Sequence, residues 1–188
     1  MTTGQSRVTT GYKIPYILYH AKRRTLKITL DPNGRVLAYA PRSSRISEID
    51  AFIDSHRSWI EKNRVKVLSL IDIPYCDAAE QKRRTVILKA WASSFLEKYE
   101  GKKPCRIAVK NMSGRWGSCS SKGNINLNVY LLDVEEELRE YVLIHELSHL
   151  YYMDHSPRFW ALVEQNCPNS HAKRKALQRY RLPKKPVT

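Results

Sequence analysis

At 188 residues and 21.9 kDa, with 42% hydrophobic side chains and no internal repeat, the chain can build one or two small domains with a real core. No apolar run approaches membrane-spanning length and residues 1–13 hold no apolar signal core, so a membrane protein is excluded and a cytoplasmic one expected. The formal net charge of +15 serves solubility, or else a polyanionic partner: an acidic protein, or nucleic acid bound non-specifically through a basic surface.

Residues 1–11 read as a loose end, and 12–19 as a strand that Pro15 suits to a sheet edge. Residues 25–30 and 36–40 alternate apolar and polar side chains at period two. Between them Asp31-Pro32-Asn33-Gly34 is a turn with glycine where positive φ is needed, so a β-hairpin is predicted. Its lead-in, Lys22-Arg23-Arg24, reads as a solvated rim. Ser47 then reads as an N-cap with Asp50 three residues on, opening a helix to about Leu68. Ile49, Phe52, Ile53 and Ile60 share its apolar face, where His56 reads as a satisfied core residue. Residues 69–79, with Pro74, read as a linker, which divides the chain into domains 1–74 and 75–188.

A long helix is predicted over 80–99, with Leu88, Trp91, Ala92, Phe95 and Tyr99 as its core stripe. Lys82, Arg83 and Arg84 in its first turns oppose the helix dipole, one reason to look for an anionic partner. Three strands follow, at 105–109, 115–119 and 124–129. Ile125, Leu127 and Val129 give the last a clean inward face. Arg115-Trp116-Gly117-Ser118 contains small residues, a glycine among them, that weaken a central strand but permit close backbone approach, or it forms a tight hairpin with Trp116 as its packing anchor.

Asp133, with Glu136 at N3, reads as the cap of the next helix. That helix carries His145-Glu146-Leu147-Ser148-His149. Residues four apart lie one turn above each other on one helix face, so His145 and His149 can aim two imidazoles at one metal. Glu146 stands beside them without joining them. The helix is predicted to end near Met153. Asp154-His155-Ser156-Pro157 then reads as a turn, an N-cap serine and a proline at the first helical position, with His155 at the corner. Three of six histidines thus fall at ligand spacing. Three protein ligands with an open position are the mark of catalytic Zn2+, which lowers the pKa of its water, and the H-E-x-x-H glutamate is the general base. His145, His149 and His155 are therefore the expected zinc ligands, with Glu146 the expected catalytic residue.

A helix from Pro157, with Phe159, Trp160 and Val163, should end before Pro168. A last helix from about Asn169 carries Lys173, Arg174, Lys175 and Arg179, and Arg181 to Lys185 form a basic tail. The runs 82–84, 102–103, 173–175 and the tail are the candidate phosphate contacts. Cys76, Cys105, Cys119 and Cys167 are scattered and read as reduced thiols rather than a disulfide frame.

The segments Arg115 to Asn128, His145 to His149, and His155-Ser156 with Phe159-Trp160 give residues 111–181 a resemblance to the YgjP-like metallopeptidases, close to the SprT-like and WLM zincins. The initial hairpin and helix are similar to the start of such proteins. The resemblance implies zinc on the three histidines, the glutamate as catalyst, and an extended polypeptide substrate paired with the edge 115–119. Arg115, Trp116, Gly117 and Ser118 are thereby candidate substrate contacts. Asp154 stands where the family is expected to have asparagine, and the further strands often found before the central helix are missing. The spacing equals that of metzincins, but Tyr152 replaces their glycine and no methionine follows Met153. The expected fold is α+β: a zincin-like helix–sheet–helix core preceded by a β-hairpin and helix. The expected activity is a zinc metallopeptidase. Its rivals are a zinc hydrolase of a non-peptide amide and a basic DNA-associated module with structural zinc, for which Cys167 or His171 would complete four ligands. Arg115, Tyr151, Tyr152 and His171 are the candidate oxyanion donors.

Overall fold

The structure, a computed structural model, describes residues 4–183. Its contacts divide the chain into two compact units, the first ending at Leu70 and the second beginning at Ile71.

The first unit is a four-stranded sheet with two helices. Strands β1 (Gln5–Val8), β2 (Pro15–His20), β3 (Lys27–Leu30) and β4 (Val36–Ala40) lie in the order β1-β2-β4-β3. The hairpin β3–β4 forms as expected. Gly34 sits at φ +73°, and the Asp31 carboxylate accepts the N–H groups of Asn33 and Arg35. Two expectations fail. Residues 5–8 are a strand antiparallel to β2, and β2 also pairs with β4 in parallel, so β2 is interior. Pro15 is tolerated because it is the first residue of the strand, where a lost donor interrupts no ladder.

On one face Tyr16, Leu18, Val36, Ala38 and Ala40 are buried against Ile49 and Ile53 of α1 (Ile46–Ser55) and Ile60 of α2 (Arg57–Leu68). The single helix expected here breaks at His56, whose ring bonds the Phe52 carbonyl at 2.8 Å. Ser47 and Asp50 are not its cap. The Arg45 N–H donates to Glu48, and Asp50 is buried instead.

The second unit opens with β5 (Ile71–Asp72), which takes the place of the expected linker and pairs in parallel with β9 (Tyr180–Arg181). Arg181, assigned from sequence to the tail, is thus in a strand and ion-paired with Asp72. Residues 184–188 of the tail lie outside the described residues. The long helix is α3 (Ala78–Lys98), capped by the Asp77 carboxylate on the Glu80 N–H.

Strands β6 (Arg106–Lys110), β7 (Gly117–Cys119) and β8 (Asn124–Asn128) form a sheet ordered β6-β8-β7. Central β8 buries Ile125 and Leu127 completely, and β7 is an edge. Helices α4 (Glu136–Ser148), α5 (Pro157–Asn166) and α6 (Ser170–Leu177) complete the unit. Leu88 of α3, Leu127, Leu143, Leu147, Phe159 and Val163 are fully buried in one core, each stabilising by roughly 1.5–3 kcal/mol. This packing holds α4 against β7 and β8. Asp133 does not cap α4. It ends a 3-10 turn (Val129–Asp133) and ion-pairs with Arg84 of α3.

The fold is α+β with a zincin-like core, the histidine-bearing helix lying beside a small sheet. No helix among the described residues is long and apolar enough to cross a membrane. Cys76, Cys105, Cys119 and Cys167 are all free thiols.

Candidate active site

The apolar side of α4, with Leu143, Ile144 and Leu147, is buried in the core, so its remaining face presents His145, Glu146 and His149. The helix stops at Ser148, earlier than expected, and His149 is its C-cap. The N–H groups of Tyr151 and Tyr152 return to the Ser148 carbonyl, closing the turn that sends the chain backwards. Asp154 accepts the Ser156 N–H, Ser156 Oγ accepts the Phe159 N–H, and Pro157 starts α5. His155 is fixed between these two local caps.

Ligand atoms of His145, His149 and His155 lie within 4.8 Å of one another. The Nε2 atoms of His145 and His155 are 3.3 Å apart. Two nitrogens each bound to a tetrahedral zinc at its usual 2.0–2.1 Å would stand about 3.4 Å apart. The ring of His149 is nearly perpendicular to both others, at 87° and 89°, so the three approach a common point from different directions. His149 Nδ1 lies 3.0 Å from the Tyr152 carbonyl, which can only accept, so Nδ1 carries the proton and Nε2 keeps its lone pair. His145 Nδ1 is buried without a partner among the described residues. Burial, helped by the other two imidazoles, pushes the His145 pKa down to about 3, and burial also lowers that of His149. Neutral imidazoles with converging lone pairs are the form that a divalent metal takes up. The donor set fits the metal.

Glu146 is only 6% exposed, and no hydrogen bond reaches its carboxylate among the described residues. Burial pushes its pKa up to about 7, against the opposing charge of Arg115. Gly117 makes this position possible. A Cβ there would lie 2.6 Å from Glu146 Oε1 and 2.7 Å from its Cγ, so the glutamate occupies the space a side chain would need.

Two hollows meet at His145, Glu146 and Gly117. One, of about 330 Å³, is lined by Arg115, Ser118, Cys119, His149, Met153 and His155. The other, of about 280 Å³, is lined by Trp116, Tyr141, Arg174, Leu177 and Tyr180 among others. The four residues picked from sequence as substrate contacts all lie here, Arg115 and Ser118 in the first hollow, Trp116 in the second and Gly117 in both. Of the candidate oxyanion donors, only Arg115 lines either of these two hollows. The Tyr151 hydroxyl accepts the Lys102 N–H, Tyr152 serves His149 through its backbone, and His171 is exposed. Sequence reading missed Tyr141, Arg174 and Tyr180. Tyr141 is buried on the α4 turn before His145, at i−4, a spacing that could have found it. Arg174, from the basic run 173–175, stacks over Trp160 at 4.9 Å. Asn128, fully buried, donates to the Met112 and Arg115 carbonyls and so fixes the approach to β7.

The family profile described as YgjP-like, metallopeptidase domain, matches residues 75–180. Among solved structures, the metallopeptidase zymogen abylysin of Pyrococcus abyssi is similar, with 25% identity, 52% of this chain and 98% of that chain covered, and a TM-score of 0.40. The comparison with curated proteins gives no match.

Proposed function

The chain belongs to the YgjP-like metallopeptidase family, and from that premise we propose that it hydrolyses peptide bonds with zinc held by His145, His149 and His155 and with Glu146 as general base. The observation that carries this reading is the convergence of three imidazoles beside a buried carboxylate that has no hydrogen-bond partner among the described residues. Zinc bound there would lower the pKa of a coordinated water and polarise the scissile carbonyl. Glu146 accepts the water's proton and delivers it to the leaving amine. Arg115, beside Glu146 in the first hollow, is the candidate donor to the developing oxyanion.

The substrate is an extended polypeptide lying along β7, which has a free edge and a hollow on either side of Glu146. Hollows on both sides favour a chain passing through over a small amide. Three histidines, with no fourth ligand among the described residues, favour catalytic over structural zinc, and neither Cys167 nor His171 joins them. Four free thiols suit a reducing compartment, for which we propose the cytoplasm.

Metal analysis after dialysis tests the ligand set. Wild-type protein should hold one zinc per chain and His149→Ala less than a tenth of that. Full retention of zinc by the variant would overturn the assignment.

A further inference from the structure

The second face of the first unit's sheet has no role in its core. Tyr16, Leu18, Val36, Ala38 and Ala40 point inwards, so the alternation of the strands turns Ile17, Tyr19, Leu37 and Tyr39 to the opposite face. Tyr19 and Tyr39 are register partners on the two central strands, and their rings stack at 5.3 Å and 19°. Gly4 packs against Tyr19, while Tyr39 has Lys27 of β3 as its other register partner. The β2–β3 connection, carrying Lys22, Arg23 and Arg24, leaves and re-enters the sheet at this same end. Lys22, Arg24 and Lys27 are exposed, and none of the four cations pairs with a carboxylate among the described residues.

The charge of this unit is uncompensated. Residues 1–70 contain thirteen Lys and Arg against five Asp and Glu, whereas residues 71–188 contain twenty against thirteen. All five acids are already engaged: Asp31 by Arg35, Glu61 by Arg57, Glu48 by the Arg45 N–H, Asp50 by Tyr16, and Asp54 by Thr9. The basic runs of the second unit are, by contrast, partly occupied. Arg83 and Arg84 pair with Glu80, Lys102 lies over Tyr151, and Arg174 lies over Trp160.

We propose that this outward face binds single-stranded nucleic acid, its bases stacking at the Tyr19–Tyr39 pair and its phosphates held by Lys22, Arg23, Arg24 and Lys27. Aromatic rings on a half-exposed sheet face, edged by cations, offer base stacking with little sequence preference. A duplex, whose bases are already stacked, has nothing to give the tyrosines. An acidic protein would use the cations without the rings.

The test is fluorescence anisotropy of the full chain with labelled oligothymidine and with duplex DNA, at about 50 and 200 mM salt. Four phosphate contacts should weaken single-strand binding roughly 50-fold between those salts. Changing Lys22, Arg23 and Arg24 to serine should lower the logarithmic salt slope by about 2. Tyr39→Ala should weaken single-strand binding about tenfold, Tyr39→Phe should restore it, and the duplex should be indifferent to both. Circular dichroism melting of each variant separates a lost site from a lost fold. Lys102→Ser with Lys103→Ser should leave affinity unchanged. The proposal is overturned by no binding at the lower salt, by equal affinity for duplex, by heparin binding equally well, or by indifference to a folded Tyr39→Ala variant.

Discussion

Each unit buries one helical carboxylate, and the two are treated in opposite ways. Asp50, 3% exposed on α1, accepts the Tyr16 hydroxyl at 2.7 Å and the Thr10 N–H at 3.2 Å, tying the helix to the strand and loop it covers. Glu146, 6% exposed on α4, accepts no hydrogen bond from the described residues, and its neighbours are a glycine cleared for it and a histidine cluster. Burial without hydrogen bonds is unfavourable for a carboxylate, so a fold that keeps one has it for another purpose. The contrast supports the proposal that Asp50 serves architecture and Glu146 serves chemistry.

Gly117→Val should break the second half of this contrast with the largest effect. The new side chain must displace the Glu146 carboxylate, and misplacement by about 1 Å costs on the order of 100-fold in rate. Zinc content should persist, and melting should change far less than activity. Parallel losses of stability and activity would instead assign Gly117 to packing alone.

Asp50→Ala should break the first half. It strands the Tyr16 hydroxyl and the Thr10 N–H, at about 1–3 kcal/mol for each group left unsatisfied. Amide exchange in residues 15–20 and 36–40 should accelerate accordingly, while α4 keeps its protection and peptidase activity is unchanged. Loss of activity from a folded variant would contradict the division of labour.

The smallest effect is expected from Tyr16→Phe, at about 1.5–3 kcal/mol for one hydrogen bond to a carboxylate, and it carries a pH signature. Burial and then Asp50 push the Tyr16 phenol up to about 12, above its value of 10 in an unfolded chain. The folded state therefore holds that proton more tightly. Its contribution is fully present below pH 10 and is lost as pH rises from 10 towards 12. Tyr16→Phe should remove this alkaline loss of first-unit stability, as followed by amide exchange between those pH values.

What was legible in the sequence was local. The hairpin turn, the helical spacing of His145 and His149, and the Asp154–Pro157 corner are each specified by residues within a few positions of one another. What was hidden depends on distant partners. Asp50 looks like an N3 cap until Tyr16 arrives from 34 positions away, and Asp133 looks like an N-cap until Arg84 takes it from 49. Strand β1 is four residues of mixed polarity that gain strand geometry from β2, and β5 and β9 are two-residue strands that define each other. The break at His56 has neither glycine nor proline to announce it. Gly117 invited close approach from sequence, but the approaching group is a glutamate of the same chain.

The central claim, that Glu146 is buried for proton transfer and not for structure, is tested most directly by Glu146→Gln assayed together for zinc, melting temperature and cleavage of an unfolded polypeptide. The amide is nearly isosteric, so the variant should bind one zinc and melt no lower than wild type. It cannot accept the water's proton, so cleavage should fall by roughly 100-fold or more. Cleavage at the wild-type rate with zinc in place would contradict the account.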